Sequence, residues 1–231
     1  MTRVIAIDGP AASGKSSTAR GVAEALGVAH LDSGALYRGL ALIALELAAE
    51  REGGAVEDVA PGAVIAAAEH RGFELRSDGV SFIAWLDGLP AEERIRTPAV
   101  TRAVSPVSAV APLRDWVNAR LRGVVAAGPV AVVDGRDIGT IVFPEAGLKV
   151  FLTATPEERA RRRLTQRGQG ADEAALAREA AVLAARDRAD STRAVAPLKR
   201  APDALVLDTT GMTLAEQVSW IVGQARRRGI V

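Results

Sequence analysis

Asp8-Gly9-Pro10-Ala11-Ala12-Ser13-Gly14-Lys15-Ser16 decides the fold, because Gly9 to Ser16 is a complete G-x-x-x-x-G-K-[ST] phosphate-binding loop. Ahead of it, Val4-Ile5-Ala6-Ile7 is a short apolar run of the kind a buried parallel strand requires. Behind it, Ala19, Val22, Ala23 and Leu26 recur at helical spacing. The glycines let backbone N–H groups turn inward toward an anion, and the helix N-terminus adds its partial positive charge. Lys15 then reaches the β- and γ-phosphates, and Ser16 offers its hydroxyl to Mg²⁺. A turn that merely joined strand to helix would not need all four defining positions. The stretch predicts a nucleoside triphosphate site built from Gly9, Pro10, Ala11, Ala12, Ser13, Gly14, Lys15, Ser16 and Ser17.

Outward from the loop, short apolar strands alternate with helices. Val28–Asp32 reads as a second strand, Val130–Asp134 as a third, Leu148–Leu152 as a fourth and Ala204–Asp208 as a fifth. Such alternation predicts an α/β fold, a five-stranded parallel sheet flanked by helices. Ser33-Gly34 opens a long helix with Leu36, Leu40, Ile43 and Leu47 on one face, ended by Gly53-Gly54, and a further helix follows from about Val56 to His70. Strand-like runs on either side of Ser77-Asp78-Gly79 predict an antiparallel excursion outside the main sheet, over about 72–96. Thr97-Pro98, Thr155-Pro156 and Thr213 are N-cap signals, and Pro106 and Pro112 are expected to break the helical region after residue 97. Four strands finish in aspartate, Asp8, Asp32, Asp134 and Asp208, at the end of the sheet where ligands bind in folds of this class.

Composition narrows the function classes. The 231 residues are 48% apolar and 25% charged, ordinary globular values, so the chain can bury a sizeable core. Net charge is +1, which marks neither a nucleic-acid binder nor a membrane-surface protein. There is no cysteine and only two histidines, His30 and His70, so disulfides and thiolate metal sites are excluded and a structural zinc centre is not expected. No leader and no membrane-length apolar helix is visible, so the expectation is a soluble cytoplasmic protein. Arg226-Arg227-Arg228 fits a helix C-terminus meeting its own dipole.

The loop alone does not separate a kinase from a regulatory ATPase or GTPase, although no N-K-x-D signature for guanine is present. Four polar clusters discriminate: Leu31-Asp32-Ser33-Gly34-Ala35-Leu36-Tyr37-Arg38, Asp134-Gly135-Arg136-Asp137-Ile138-Gly139-Thr140, Arg159 to Arg163, and Arg186 to Arg193. With Arg94-Ile95-Arg96-Thr97, Val142-Phe143-Pro144 and Arg193-Ala194-Val195-Ala196-Pro197-Leu198, their order and spacing resemble the bacterial cytidylate kinases over essentially the whole chain.

That resemblance implies a single P-loop kinase domain over 1–231. Its core is about 1–33, 97–154 and 191–231, with a monophosphate-binding region at about 34–96 and a helical lid at about 155–190. It implies transfer of the ATP γ-phosphoryl group to CMP or dCMP with Mg²⁺. Ser33, Ser105, Arg114 and Asp137 would face cytosine; Arg38, Arg136 and Arg193, with Tyr37 and Arg96, would meet the acceptor phosphate; Arg186 and Asp190 would hold the sugar. Lys15, Arg136, Arg193 and Arg162 would stabilise the transferring group, with Arg162 also meeting ATP. Ser16 would hold Mg²⁺, and Asp134 would do so through water. The partners implied are nucleotides alone, bound by a monomer without nucleic acid or membrane.

Structural roles compete at several positions. Tyr37 lies at helical spacing from Leu40 and suits a core. Arg159, Arg161 and Arg163 suit solvated charges or partners of Glu157 and Glu158. Asp190 can pair with Arg186 at i−4, and Asp134 can satisfy a loop backbone. A related kinase acting on UMP or a sugar-like acid, and a nucleotide-gated binding module without turnover, are the rival functions.

Overall fold

The computed structural model describes residues 2–51, 53–128 and 130–231. In chain order its elements are β1 (Thr2–Asp8), α1 (Lys15–Leu26), β2 (Ala29–Asp32), α2 (Ser33–Ala49), α3 (Pro61–His70), β3 (Glu74–Ser77), β4 (Ser81–Leu86) and β5 (Leu89–Pro90). Then come α4 (Pro98–Ala109), α5 (Ala111–Ala126), β6 (Ala131–Gly135), β7 (Ala146–Thr153), α6 (Pro156–Gln166), α7 (Glu173–Thr192), β8 (Leu205–Asp208) and α8 (Leu214–Arg227). The caps read from sequence are in place. Thr97, Thr155 and Thr213 each accept an N–H from the third residue onward, and Thr213 with Glu216 closes a full capping box. The chain is a mixed α/β protein whose mostly parallel strands are flanked by helices. It gathers into two compact units, Met1–Val28 with Val130–Val231, and Ala29–Pro129.

In the first unit the strands run parallel in the order β6-β1-β7-β8. Val4, Ile5, Ala6 and Ile7 of β1 are buried, so the central strand is continuously apolar, as a strand covered on both faces must be. Burying Ile5 and Ile7 stabilises the unit by roughly 1.5–3 kcal/mol each. Ala19, Val22 and Ala23 of α1 and Ile221, Val222 and Ala225 of α8 add to this core. Gly21 lets α1 and α8 approach, since a Cβ there would lie 2.7 Å from a Val218 methyl.

In the second unit β4 is the middle strand. β3 pairs antiparallel along one edge; β2, in parallel, and β5, antiparallel, share the other. This corrects the expectation that 72–96 stands outside the parallel strands. Backbone donors and acceptors on a second strand edge need partners, and β2 supplies them to β4 at His30–Ser81 and Leu31–Phe82. Leu36, Leu40 and Ile43 of α2 are fully buried. At Gly39 the Phe73 ring lies 1.9 Å from where a Cβ would stand, and that ring stacks on Trp116 with centroids 6.0 Å apart.

Three helix boundaries differ from the sequence reading. α2 stops at Ala49, short of Gly53-Gly54. The helix expected from Val56 is a short 3₁₀ turn, Val56–Asp58, and α3 then starts at Pro61, whose fixed φ suits a first helical turn. Pro106 does not break α4. Proline removes one i→i−4 bond there, while Val100, Ala103, Val104 and Val107 remain buried and hold the helix. The break falls at Val110, and Pro112 sits in the first turn of α5.

No helix among the described residues is long and apolar enough to cross a membrane.

Candidate active site

The phosphate loop springs from β1 with no room for side chains at its first glycine. Gly9 has φ 152°, and a Cβ on it would stand 2.2 Å from the Leu152 carbonyl oxygen. Gly14, at φ 92°, is the left-handed N-cap of α1. Between them Ala12 holds φ 58°, a conformation costing a non-glycine residue on the order of 1 kcal/mol. Ala11 and Ala12 pack on Ala160 and Leu183 of the α6–α7 pair, which holds that strained segment in place.

Lys15 is buried and curls into the loop. Its Nζ donates to the Pro10 carbonyl at 2.6 Å and lies 3.4 Å from Ser13 Oγ. Burial pushes its pKa well below the usual lysine range, and the neighbouring Arg136 and Arg186 cations push the same way against Asp134 and Asp8. The Ser16 hydroxyl donates to Asp134 Oδ2 at 2.7 Å.

The strand-end aspartates do four different things. Asp8 accepts the Ile138 and Gly139 N–H groups at 2.8 and 2.7 Å. Burial raises its pKa to about 6, against the lowering effect of those two bonds. Asp134 takes the Ser16 hydroxyl, and Asp208 accepts the Thr210 N–H at 2.9 Å. Asp32 in the second unit caps α2 through the Gly34 N–H and pairs with Arg38 at 2.6 Å, with Arg96 at 3.9 Å. Burial alone would raise the Asp32 pKa; Arg38, Arg96, His30 and the Gly34 amide outweigh it and hold the carboxylate below its ordinary value.

The predicted acceptor residues fall into two groups. In the first unit Arg136 Nε donates to Asp190 at 2.9 Å, and Arg193 lies 3.7 Å from Asp137 and donates to the Ala196 carbonyl at 2.5 Å. Asp190 is thus paired with a residue 54 positions away. In the second unit Arg38 and Arg96 gather at Asp32. Tyr37 is buried beneath the Arg114 guanidinium, 5.3 Å from the ring centroid, so it packs as a core residue does. Arg114 is 2% exposed and donates to the Ser108 carbonyl, while the Ser108 hydroxyl reaches the Ser105 carbonyl. Ser33 is buried at the start of α2.

On α6, Arg161 binds Glu158 at the surface, as the sequence suggests. Arg159 does not. It is buried, pairs with Asp187 of α7 and donates to the Ala11 carbonyl, while Asp187 accepts the Ala11 N–H at 3.0 Å. A buried guanidinium needs a carboxylate close by, and α7 supplies one that no i→i+4 rule anticipates. Arg162 donates to the Thr209 carbonyl at 2.6 Å, to the Thr209 hydroxyl and to the Ser13 carbonyl. It borders a cavity of about 380 Å³ beside Gly14 and Ser17, walled by Met212, Leu214 and Gln217. Those three and Thr209 are missing from the sequence-predicted site. The Thr209-Thr210 pair after the Asp208 strand end is the signal that could have found them. Among the described residues no group of three or more His, Cys, Asp or Glu is placed to hold a metal ion.

Comparison with known proteins agrees with this geometry. The family model described as cytidylate kinase matches residues 5–227. A cytidylate kinase of Thermus thermophilus is 44% identical over 98% of this chain and 100% of its own. That of Lactococcus lactis subsp. cremoris (strain MG1363) is 41% identical over 96% and 97%, and that of Nocardia farcinica 42% over 96% and 94%.

Proposed function

The chain belongs to the cytidylate kinase family, and from that membership we infer that it transfers the γ-phosphoryl group of ATP to CMP or dCMP, giving ADP and CDP or dCDP. The observation that carries the reading at the residue level is the complete phosphate loop with buried Lys15 folded into it, its Nζ on the Pro10 carbonyl, and the Ser16 hydroxyl on Asp134. A loop of backbone amides with a lysine folded inside it suits a reaction between two phosphate-bearing substrates, where charge repulsion is the main obstacle.

No protein nucleophile is required, because the acceptor phosphate oxygen is already an anion. The loop from Gly9 to Ser17 cradles the donor through backbone amides, and Lys15 exchanges the Pro10 carbonyl for phosphate oxygens. Arg136 and Arg193 meet the acceptor phosphate; Arg38, Arg96 and Tyr37 are assigned to it on the family resemblance, as are Ser33, Ser105 and Arg114 to the base. Asp137 accepts from the exocyclic amine of cytosine, a contact uracil cannot make, and Arg186 and Asp190 hold the sugar. Arg162, on the 155–190 lid, covers the donor and excludes water as a competing acceptor. The Ser16 hydroxyl and Asp134 carboxylate offer hard oxygen ligands suited to Mg²⁺. When bound, that ion neutralises charge on the β- and γ-phosphates. Every residue named belongs to one chain, so the reading asks for no second copy, and it places the protein in the cytoplasm, where its nucleotides are.

A coupled ADP-release assay with ATP·Mg²⁺ against CMP, dCMP, UMP, AMP and GMP tests it. Turnover concentrated on CMP and dCMP is the expected result. Strong turnover on another monophosphate would keep the fold and discard the Asp137 assignment.

A further inference from the structure

We propose that Asp8 is a positioning residue for the acceptor nucleotide: from the end of β1 its carboxylate fixes the turn after Arg136 and Asp137 and so sets how those two side chains meet CMP. The proposal rests on the reading of Arg136 and Asp137 given above.

Both oxygens of Asp8 are committed to consecutive backbone amides, Ile138 at 2.8 Å and Gly139 at 2.7 Å. Successive N–H groups turned toward one point form a small anion-binding nest, and here the anion is a side chain of the same protein. The register of β1 on β6 puts Asp8 beside Gly135, the residue before Arg136. The turn itself is stiff, since the Asp137 carbonyl accepts from both Ile141 and Val142 at 2.9 and 3.2 Å. It is also tightly seated. A Cβ on Gly139 would lie 3.3 Å from Asp8 Oδ2 and 3.2 Å from the Lys149 Cγ and Cδ atoms. A carboxylate one residue before a phosphate loop repels the ligand that loop binds, and burial disfavours its charge further. Its place is explained by the nest it fills.

Asp8→Asn keeps the volume but turns one acceptor into a donor facing an N–H, which opens the turn. The expected result is a KM and Kd for CMP raised about 10- to 100-fold, a smaller ratio of CMP to UMP turnover, and ATP affinity within about threefold of the parent. In NMR spectra the Ile138 and Gly139 amide protons should lose their carboxylate-bonded downfield shifts. Gly139→Ala presses on the same contact from the other side and should move CMP affinity in the same direction, which keeps the test decisive if Asp8→Asn does not fold. Asp137→Asn run in parallel separates the two readings. A lowered CMP/UMP ratio in Asp137→Asn with no change in the Asp8 and Gly139 variants overturns the role of Asp8 alone. An unchanged ratio in Asp137→Asn overturns the base reading and this proposal with it. Equal loss of ATP and CMP binding in Asp8→Asn also overturns it, because the residue would then serve the loop as a whole.

Discussion

The ends of β1 and β2 present the same residue type at the same point of a strand, yet the buried Asp8 and the half-buried Asp32 are held in opposite ways. At Asp8 burial dominates and Asp137 adds to it, so its pKa rises to about 6 although two backbone amides and Lys15 act to lower it. Asp32 faces Arg38 and Arg96, so its pKa falls although burial acts to raise it. The difference separates two ways of holding a carboxylate at a strand end. The β1 side is prefabricated from backbone and a lysine already folded inward. The β2 side holds Arg38 and Arg96 at Asp32, and on the proposed assignment a substrate phosphate would compete for those pairs.

Damage to the loop lysine is expected to strike turnover, and damage to the arginines at Asp32 to strike acceptor affinity. Lys15→Ala should lower kcat by about 10³-fold or more while calorimetry shows CMP binding nearly unchanged. Loss of CMP binding with normal ATP binding would merge the two regions. Arg38→Ala should raise the KM for CMP by about 100-fold, since it removes a phosphate partner and leaves Asp32 less paired; an effect confined to kcat would break the contrast. Asp137→Asn should narrow the CMP/UMP preference in kcat/KM by about tenfold, the scale of one good base contact. An unaltered ratio would mean that the base is read elsewhere.

The smallest effect is on stability, and it tests the two aspartates directly. As pH climbs from about 4 to 6, the unfolded chain releases the Asp8 proton first, so Asp8 subtracts stability over that window. Asp32 runs the other way: its contribution is present above its ordinary pKa and is lost as pH falls through the lowered folded value. Melting curves from about pH 3 to 7 should show Asp8→Asn flattening the slope between about 4 and 6 and Asp32→Asn flattening the acid limb, each by a few degrees in Tm. An Asp8→Asn profile parallel to the parent across that window would erase the distinction.

Local rules carried the sequence reading a long way. The phosphate loop, the alternating strands, the hairpin at Ser77-Asp78-Gly79 and the caps at Thr97, Thr155 and Thr213 depend on residues within a few positions of one another. They emerged where they were read. What escaped depends on distance along the chain. Arg136 with Asp190, Arg159 with Asp187, and the parallel pairing of β4 on β2 join residues 54, 28 and 51 positions apart. An i→i+4 ion pair is worth only about 0.3–0.5 kcal/mol, so a burial requirement readily draws the same charge to a remote partner. The wall of Thr209, Met212, Leu214 and Gln217 was hidden for a related reason. None of these residue types announces a ligand unless the loop they face is already in view.

The position of β1 in its sheet has a consequence for synthesis. It is made before every other strand among the described residues and is an inner strand of its unit, yet Ile5 must wait for Val132 on one side and Leu148 on the other. At about 5–20 residues per second, that wait lasts roughly 7–30 s. Through it the apolar Val4–Ile7 segment has no strand to pair with, while all of 29–129 is made and free to fold. The unit that carries the phosphate loop is therefore the last to close, and the nascent chain, more than the finished enzyme, is where this protein is open to aggregation.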